Sequence, residues 1–543
     1  MKDFITKLFN YVEPKDIEGF ELLEDETEDK QSSSKSENIN KTMRTWRSKS
    51  KGIQKDNLLR NLEFNIKKLE DEFNAPTNKD LVVRKFKIAK KYNACLFFIE
   101  GMVDQTLIND FILRELMKTE HFKDFNGECP LTHIEESVIS INQVTRADNF
   151  EETVSQILNG LSALLVQDCS EALLIETRGY EKRNVEKPIT ENVIRGAHEG
   201  FSENLRTNIT LIRRIIRNKN LVTELMTVGR TNNSSCAIIY LEDIANPSIV
   251  KEVKRRIKKL DTDYIAGSGM LEEQLSDNAQ SIFPHILTTE RPDRASSFIS
   301  DGKVVILIDG APFASAVPTT FIEALQSPED FFLKWQFSTA LRIVRLIGIF
   351  CALFLPGLYI ALILFHQEML PTELLTSIAR SRENVPFPTI LEIIMMEVSF
   401  ELIREAGIRV PGAIGTTLGI IGALVLGQAA VSAQIVSPIL IIIVAVTGIG
   451  SFAVPTYALA FAIRLIRFLF ILVGAFAGFY GMAFGIFVIA GLACSIKSFG
   501  VPYFAPVAPK TKSNQDIILS RPIYAHKYRP DYQNPLNKRR RGK

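Results

Sequence analysis

Charged and apolar positions are segregated along this chain. From Leu346 to Phe365, from Val410 to Ile463 and from Phe468 to Ile496 there is no Asp, Glu, Lys or Arg. A helix rises ~1.5 Å per residue and a bilayer core is ~30 Å thick, so ~20 residues cross it once. The first and third runs each suit one crossing. The second is long enough for two and breaks at Gln428-Ala429-Ala430-Val431-Ser432-Ala433-Gln434. Four spans are expected, over 343–365, 411–430, 435–455 and 466–494. The stretch 387–405 is apolar but carries Glu392, Glu397, Glu401, Arg404 and Glu405. Glu397, Glu401 and Glu405 recur every four residues, which puts them on one helix face with Arg404. That pattern predicts an amphipathic helix on the membrane surface or against other helices, not a span.

Before Arg345 the pattern changes. Leu58, Leu62, Ile66 and Leu69 repeat at helical spacing. ACLFFIE (94–100), EALLIE (171–176), SCAIIYL (235–241) and KVVILI (303–308) read as buried strands. Helical stretches are expected at Thr106 to Lys118 and Asn192 to Ile216. The alternation predicts an α/β cytoplasmic region of two subdomains, 58–180 and 181–335, divided by the charged segment Thr177 to Ile189. An all-α polytopic membrane domain follows over 336–496. Residues 1–57 read as a disordered extension, with an acidic cluster at Glu24 to Asp29 and a Ser/Lys tract. Residues 497–543 read as a basic tail.

Charge sets an orientation. Arg342 and Arg345 precede the first span, and the tail carries Lys497, Lys510, Lys512, Arg521, Lys527, Arg529 and the closing KRRRGK. Basic flanks stay in the cytoplasm, so both ends are expected there, after an even number of crossings. Arg464 and Arg467 fit poorly, because four crossings place them outside. No cleavable leader is read in MKDFITKLFNYVEP. The six cysteines contain no C-x-x-C pair, which predicts reduced thiols and no disulfide framework.

Candidate chemistry is sparse. There is no Walker loop, no H-E-x-x-H and no G-x-S-x-G, so no enzyme, cofactor or metal site is expected. Gly267-Ser268-Gly269 reads as a turn, and His198 and His285 as ordinary helix or loop residues. The basic run Lys251, Lys254, Arg255, Arg256, Lys258 and Lys259 reads as a solvated helix face, with a subunit or anionic-lipid contact as the alternative. It lacks the aromatic platform of a nucleic-acid site. Gly415 and Gly419, Gly474 and Gly478, and Gly481 and Gly485 are pairs four apart, a spacing that lets helices pack closely. Thr417, Ile421, Val425 and Gln428 share one stripe, polar at its ends and apolar between. It fits either a pore lining with a hydrophobic constriction or an ordinary packed helix.

Four segments carry a family resemblance. They are ENVIRGAHEGFSENLRTNITLIRRII (191–216), LIDGAPFASAVPTTF (307–321), SIARSRENVPFPTILEIIMMEVSFELIREAGIRVP (377–411) and LGQAAVSAQIVSPILIIIVA (426–445). In this order, within about Lys90 to Pro509, they resemble the A subunit of the GerA-type nutrient germinant receptors of endospore-forming bacteria. The resemblance implies a multi-pass subunit of the spore inner membrane with its soluble part facing the core. It implies partners: a permease-like B subunit that binds nutrient, a lipoprotein C subunit, and further copies of the chain in a ring, suspected to be a pentamer. Monovalent cations would leave through the ring. Thr417, Ile421, Val425 and Gln428 are then candidates to line the path, and Glu397, Glu401 and Glu405 to attract ions. The alternatives are a non-conducting scaffold or signal-transducing subunit, or a transporter.

Overall fold

The computed structural model describes residues 57–540 except 124, 126, 128, 180–186, 189, 192, 411–421, 423–424 and 512–518. The predicted N-terminal extension thus falls outside the described residues, apart from Asn57.

Helix α1 (Leu62–Glu72) buries the expected Leu62, Ile66 and Leu69. Strands β1 (Leu81–Ile88), β2 (Tyr92–Ile99) and β3 (Val144–Ala147), helix α2 (Phe150–Leu158), and strands β4 (Ser162–Val166) and β5 (Ala172–Ile175) complete the first subdomain. Helical turns at 107–117 and 131–138 join β2 to β3. Helix α3 (Leu205–Ile215) opens the second subdomain. It continues with β6 (Leu221–Val228), β7 (Ser234–Leu241), α4 (Pro247–Lys259), α5 (Ser268–Leu275), β8 (Leu287–Thr289), α6 (Pro292–Asp301), β9 (Val304–Ile308) and β10 (Ala314–Val317). The helix expected from Asn192 begins only at Leu205, because the Asn204 side chain caps it by accepting from the amides of Arg206 and Thr207.

The two subdomains repeat one topology. Their sheets run β1-β2-β4-β5-β3 and β6-β7-β9-β10-β8, the same order five strands on, with every pairing antiparallel. Side-chain chemistry repeats as well. Asn61-Leu62 and Asn65-Ile66 recur as Asn204-Leu205 and Asn208-Ile209. Buried Asn65 donates to the Leu59 carbonyl at 2.6 Å and accepts from the Leu59 amide at 3.0 Å. Buried Asn208 does the same with Ser202, at 2.6 and 2.8 Å. Cys95 faces Lys85 across the first hairpin as Cys236 faces Met226 across the second. Gly160 and Gly302, with φ of 90° and 100°, make the left-handed turn out of α2 and α6. A buried ion pair fastens the copies: Arg213 donates to Asp80 at 2.5 and 2.9 Å, with Asn78 alongside accepting from the Thr223 amide. Against the expectation of free thiols, Cys129 and Cys169 form a disulfide, with Cα atoms 5.4 Å apart.

Helices α7 (Trp335–Phe365), α8 (Thr372–Arg382), α9 (Thr389–Arg409), α10 (Pro438–Phe452) and α11 (Tyr457–Ser495) follow. Residues 425–432 are also helical. Among the described residues, α7 and α11 are long and apolar enough to cross a membrane. The expected helix 466–494 differs in two ways. It starts at Tyr457, and it breaks at Gly478, whose φ of 56° and ψ of −141° lie outside the helix region. The two limbs fold together: a Cβ on Gly485 would lie 3.0 Å from the Phe470 ring, and one on Gly481 would lie 2.6 Å from the Val473 carbonyl. Glycine seams set directions. Gly348 meets Gly450, Gly357 meets Gly474, and Phe365 meets Gly478. The first limb of α11 therefore runs parallel to α7, and its second limb returns.

The last segment is not a free tail. Strands β11 (Lys497–Ser498) and β12 (Val501–Pro502) form a short hairpin. Its Phe499 and Val501, then Ala505 and Tyr532, enter the hydrophobic core of the second subdomain. The Leu536 amide donates to the Ile244 carbonyl at 2.9 Å, and Tyr532 donates its hydroxyl to Glu323 at 2.9 Å. Basic residues expected to flank a membrane find protein partners instead: Arg529 donates to the Ser300 carbonyl and Arg540 pairs with Asp301.

Candidate functional site

Charged side chains lie inside the helical layer. A charged side chain among apolar helices is costly unless it is paired. Glu397 on α9 lies 2.9 Å from Arg467 on α11, and neither side chain reaches solvent. One turn on, Glu401 takes Arg464 at 2.5 Å and Arg404 at 3.4 Å. Arg404 also donates to Ser451 of α10 at 2.6 Å and lies over the rings of Phe400 and Phe452. Residues at i and i+4 on α9 thus meet residues three apart on α11, as antiparallel neighbours require. The two arginines that fit poorly between spans are neutralised by the two glutamates that argued against a span. Glu392 accepts from the Ser437 amide at 3.1 Å and from Arg382 at 3.3 Å. Glu405 remains exposed, paired with Arg409 at 2.7 Å.

The acidic stripe is therefore divided. Glu397 and Glu401 face other helices of the same chain, and Glu405 faces outward. Of the stripe Thr417, Ile421, Val425 and Gln428, the first two lie outside the described residues, as do Gly415 and Gly419. Val425 is 59% exposed and Gln428 is exposed, whereas Gly427 between them is buried against Ile441 of α10. Gly474 packs so closely that a Cβ there would lie 2.7 Å from the Gly357 carbonyl. Gly478 makes the break in α11, which puts Gly481 and Gly485 on the opposite limb from Gly474.

A second cluster ties the soluble unit to the helices. The turn Pro328–Phe331 is capped by Ser327 and holds Asp330 out of solvent. Asp330 accepts from Arg342 at 3.1 Å and from Arg345 at 3.0 and 3.1 Å. Arg345 also donates to the Leu325 carbonyl, and Thr456, at the start of α11, donates to the Ala324 carbonyl. The sequence read these arginines as a membrane flank. The carboxylate that fixes them was legible 12 and 15 positions upstream, but its role needed the fold. Two described residues of the conspicuous segment 191–201 hold the start of α6 and the strand before it: Glu191 holds Arg294 and Thr289, and the Ala197 carbonyl accepts from Arg291 at 2.9 Å. No group of three His, Cys, Asp or Glu side chains fit to hold a metal exists among the described residues.

A duplicated soluble unit pinned by buried ion pairs to an apolar helical layer defines a membrane-associated, two-part protein. The model of the Bacillus/Clostridium GerA spore germination protein family matches residues 67–532. The chain belongs to this family, the A subunits of GerA-type germinant receptors. It is 38% identical to spore germination protein KA of Bacillus subtilis (strain 168) over 470 residues, 86% of each chain. It is 37% identical to spore germination protein GerLA of Bacillus cereus, over 86% of this chain and 94% of that one. A crystal structure of the N-terminal domain of the A subunit of the Bacillus megaterium germinant receptor GerK3 is 30% identical. It covers 49% of this chain and 98% of its own, with a TM-score of 0.40.

Proposed function

We propose that this chain is the subunit that opens an ion path across the spore inner membrane when other receptor chains detect nutrient. The helical layer, assembled with further copies, encloses a path for monovalent cations. Permease-like B and lipoprotein C subunits supply recognition. The observation that carries this reading is the open face at Val425 and Gln428, an apolar and a polar residue that the protomer leaves uncovered while Gly427 is packed. In the sequence, Thr417 and Ile421 precede Val425 at steps of four and lie outside the described residues. A ring of such residues excludes water where it is apolar and admits ions once widened.

The directions of the helices support a multi-pass arrangement. Helix α9 runs parallel to α10, since Glu392 lies by Ser437 and Arg404 by Ser451. On this reading the chain returns between them, giving six crossings with α7 and the two limbs of α11. Both ends then lie on the side of the soluble unit, the core or cytoplasmic side. With its charges paired, 387–405 serves as one of the traverses.

Substituting Ile421→Ser and Val425→Ser tests the gate. Wetting the ring favours the open state. A shift of only ~1.4 kcal/mol changes that equilibrium tenfold. The expected result is cation leak, or germination without nutrient. Fully nutrient-dependent behaviour in both variants, at normal protein levels, would overturn it. The non-conducting reading is favoured by the Asp330 pin, which suits a transmitting lever. It predicts no cation flux from the reconstituted receptor in either variant.

A further inference from the structure

A cavity of about 240 Å³ lies between the second subdomain and the first turn of α11. Helix α5 and the loop 276–286 form its wall, and Ala458 closes one side. One of its side chains lacks what burial demands. His285, expected to be ordinary, is only 4% exposed, and neither ring nitrogen has a hydrogen-bond partner. Buried polar groups are nearly always paired, so an orphan imidazole on a cavity wall points to an occupant. Glu272 accepts one hydrogen bond, from the Ser315 hydroxyl at 2.9 Å. Burial pushes its carboxyl up to about 7, because desolvation penalises the charged form.

The lining selects the ligand. It contains Glu272 and Glu273 but no Lys or Arg. Nearby Arg256 is held by Glu252 and Asp277. An acidic wall favours a cation. A neutral imidazole offers one lone pair to an N–H donor. Ile282, Phe283 and Pro284 offer apolar contact to a carbon body. A bare metal ion fits poorly, since the described residues hold no three-ligand cluster. We propose that this cavity binds a small organic ammonium ion, its nitrogen held by the Glu272 carboxylate and the His285 imidazole.

The cavity stands apart from the Val425 face, and the inference does not depend on the ion path. Its position gives binding a consequence. The loop that carries His285 is tied to the chain leaving the helices: Ser498 donates to the His285 carbonyl at 2.7 Å, and the Phe499 amide donates to Asp277 at 2.8 Å. An occupant stiffens the loop and with it the anchorage of the last helical limb.

The test is calorimetric titration of the full chain in detergent at pH 8 with n-butylammonium chloride. Sodium butyrate and 1-butanol serve as anionic and neutral controls of the same length. Saturable butylammonium binding on the order of 1–10 mM is expected, a range that suits so small a ligand. The controls should bind at least tenfold more weakly. Glu272→Gln and His285→Phe should each weaken butylammonium binding at least tenfold, with unchanged circular dichroism. Ala279→Phe, which fills the cavity from its exposed wall, should abolish it even if His285→Phe fails to fold. Equal binding of butanol, or unchanged butylammonium binding in Glu272→Gln or Ala279→Phe, would overturn the assignment.

Discussion

Arg467 on the first limb of α11 and Glu397 on α9 lie 2.9 Å apart, and both are shut off from solvent. Their mutual neutralisation is what lets two helices with central charges sit among apolar neighbours. Removing one partner leaves the other charge buried alone, which costs about 3–5 kcal/mol. Arg467→Met or Glu397→Gln alone should sharply lower abundance and thermal stability in detergent. The double variant should recover most of the loss. Additive losses in that cycle would show that the pair does not act as a unit.

The glycine seam gives a graded comparison. Gly474→Ala places a Cβ against the Gly357 carbonyl, whereas a Cβ on Gly491 meets nothing within 4 Å. Overpacking of this kind costs about 1–3 kcal/mol. Gly474→Ala should lower the melting temperature of the purified protein, and Gly491→Ala should leave it unchanged.

Asp330→Asn should loosen the junction rather than either unit. It leaves Arg342 and Arg345 facing a neutral amide. Limited proteolysis should cut between 325 and 335 faster than in the wild type, while fragments of the two-sheet unit stay intact. Unchanged cleavage there would remove Asp330 as the pin.

The duplication predicts matched effects. Asn65→Ala and Asn208→Ala each remove a buried amide that makes the same pair of backbone contacts in a part-buried turn. Each should cost about 1–3 kcal/mol, the penalty for leaving buried polar groups unmade. Chemical unfolding of the two variants checks this. A large cost at one position and none at the other would mean the turns are not equivalent.

Glu272 makes a pH prediction. Its folded pKa of about 7 lies above its ordinary value of 4.5, so the folded state holds the proton more tightly. That contribution to stability is complete below pH ~4.5, falls as pH rises through 7, and is flat above, a span of roughly 3 kcal/mol. Glu272→Gln should be more stable than the wild type at pH 8 and should lack this slope. Melting curves from pH 5 to 8 measure both.

Much of this architecture was legible along the chain. ACLFFIE, EALLIE, SCAIIYL and KVVILI became β2, β5, β7 and β9, because strands covered on both faces read as continuous apolar runs. Strands β1 and β6 escaped notice. They lie at sheet edges, and β1 carries Arg84, Lys85 and Lys87, so neither shows such a run. The duplication was visible in the recurring Asn-Leu and Asn-Ile pairs, but it needed two turns to be superposed before it meant anything. The charge problem of α9 and α11 could not be solved along the chain, since the partners are 63 and 70 positions apart. Along the chain Arg342 and Arg345 read as a membrane flank, and their pairing with Asp330 needed the fold. His285 and Glu272 had no motif: what marks them is a half-open pocket, which exists only once α5, its loop and Ala458 are brought together.

The insertion of Phe499, Val501, Ala505 and Tyr532 into the second subdomain bears on how the molecule is made. A ribosome delivers residues 205–317 long before it delivers 499–532, and the helices are synthesised in between. The soluble unit therefore receives the last of its interior only after the helical layer has been laid down and the chain has come back. Maturation of the early part is thereby made to wait on completion of the late part. A chain stopped anywhere within the helices would leave that notch open, an apolar surface of the kind quality-control proteases act on.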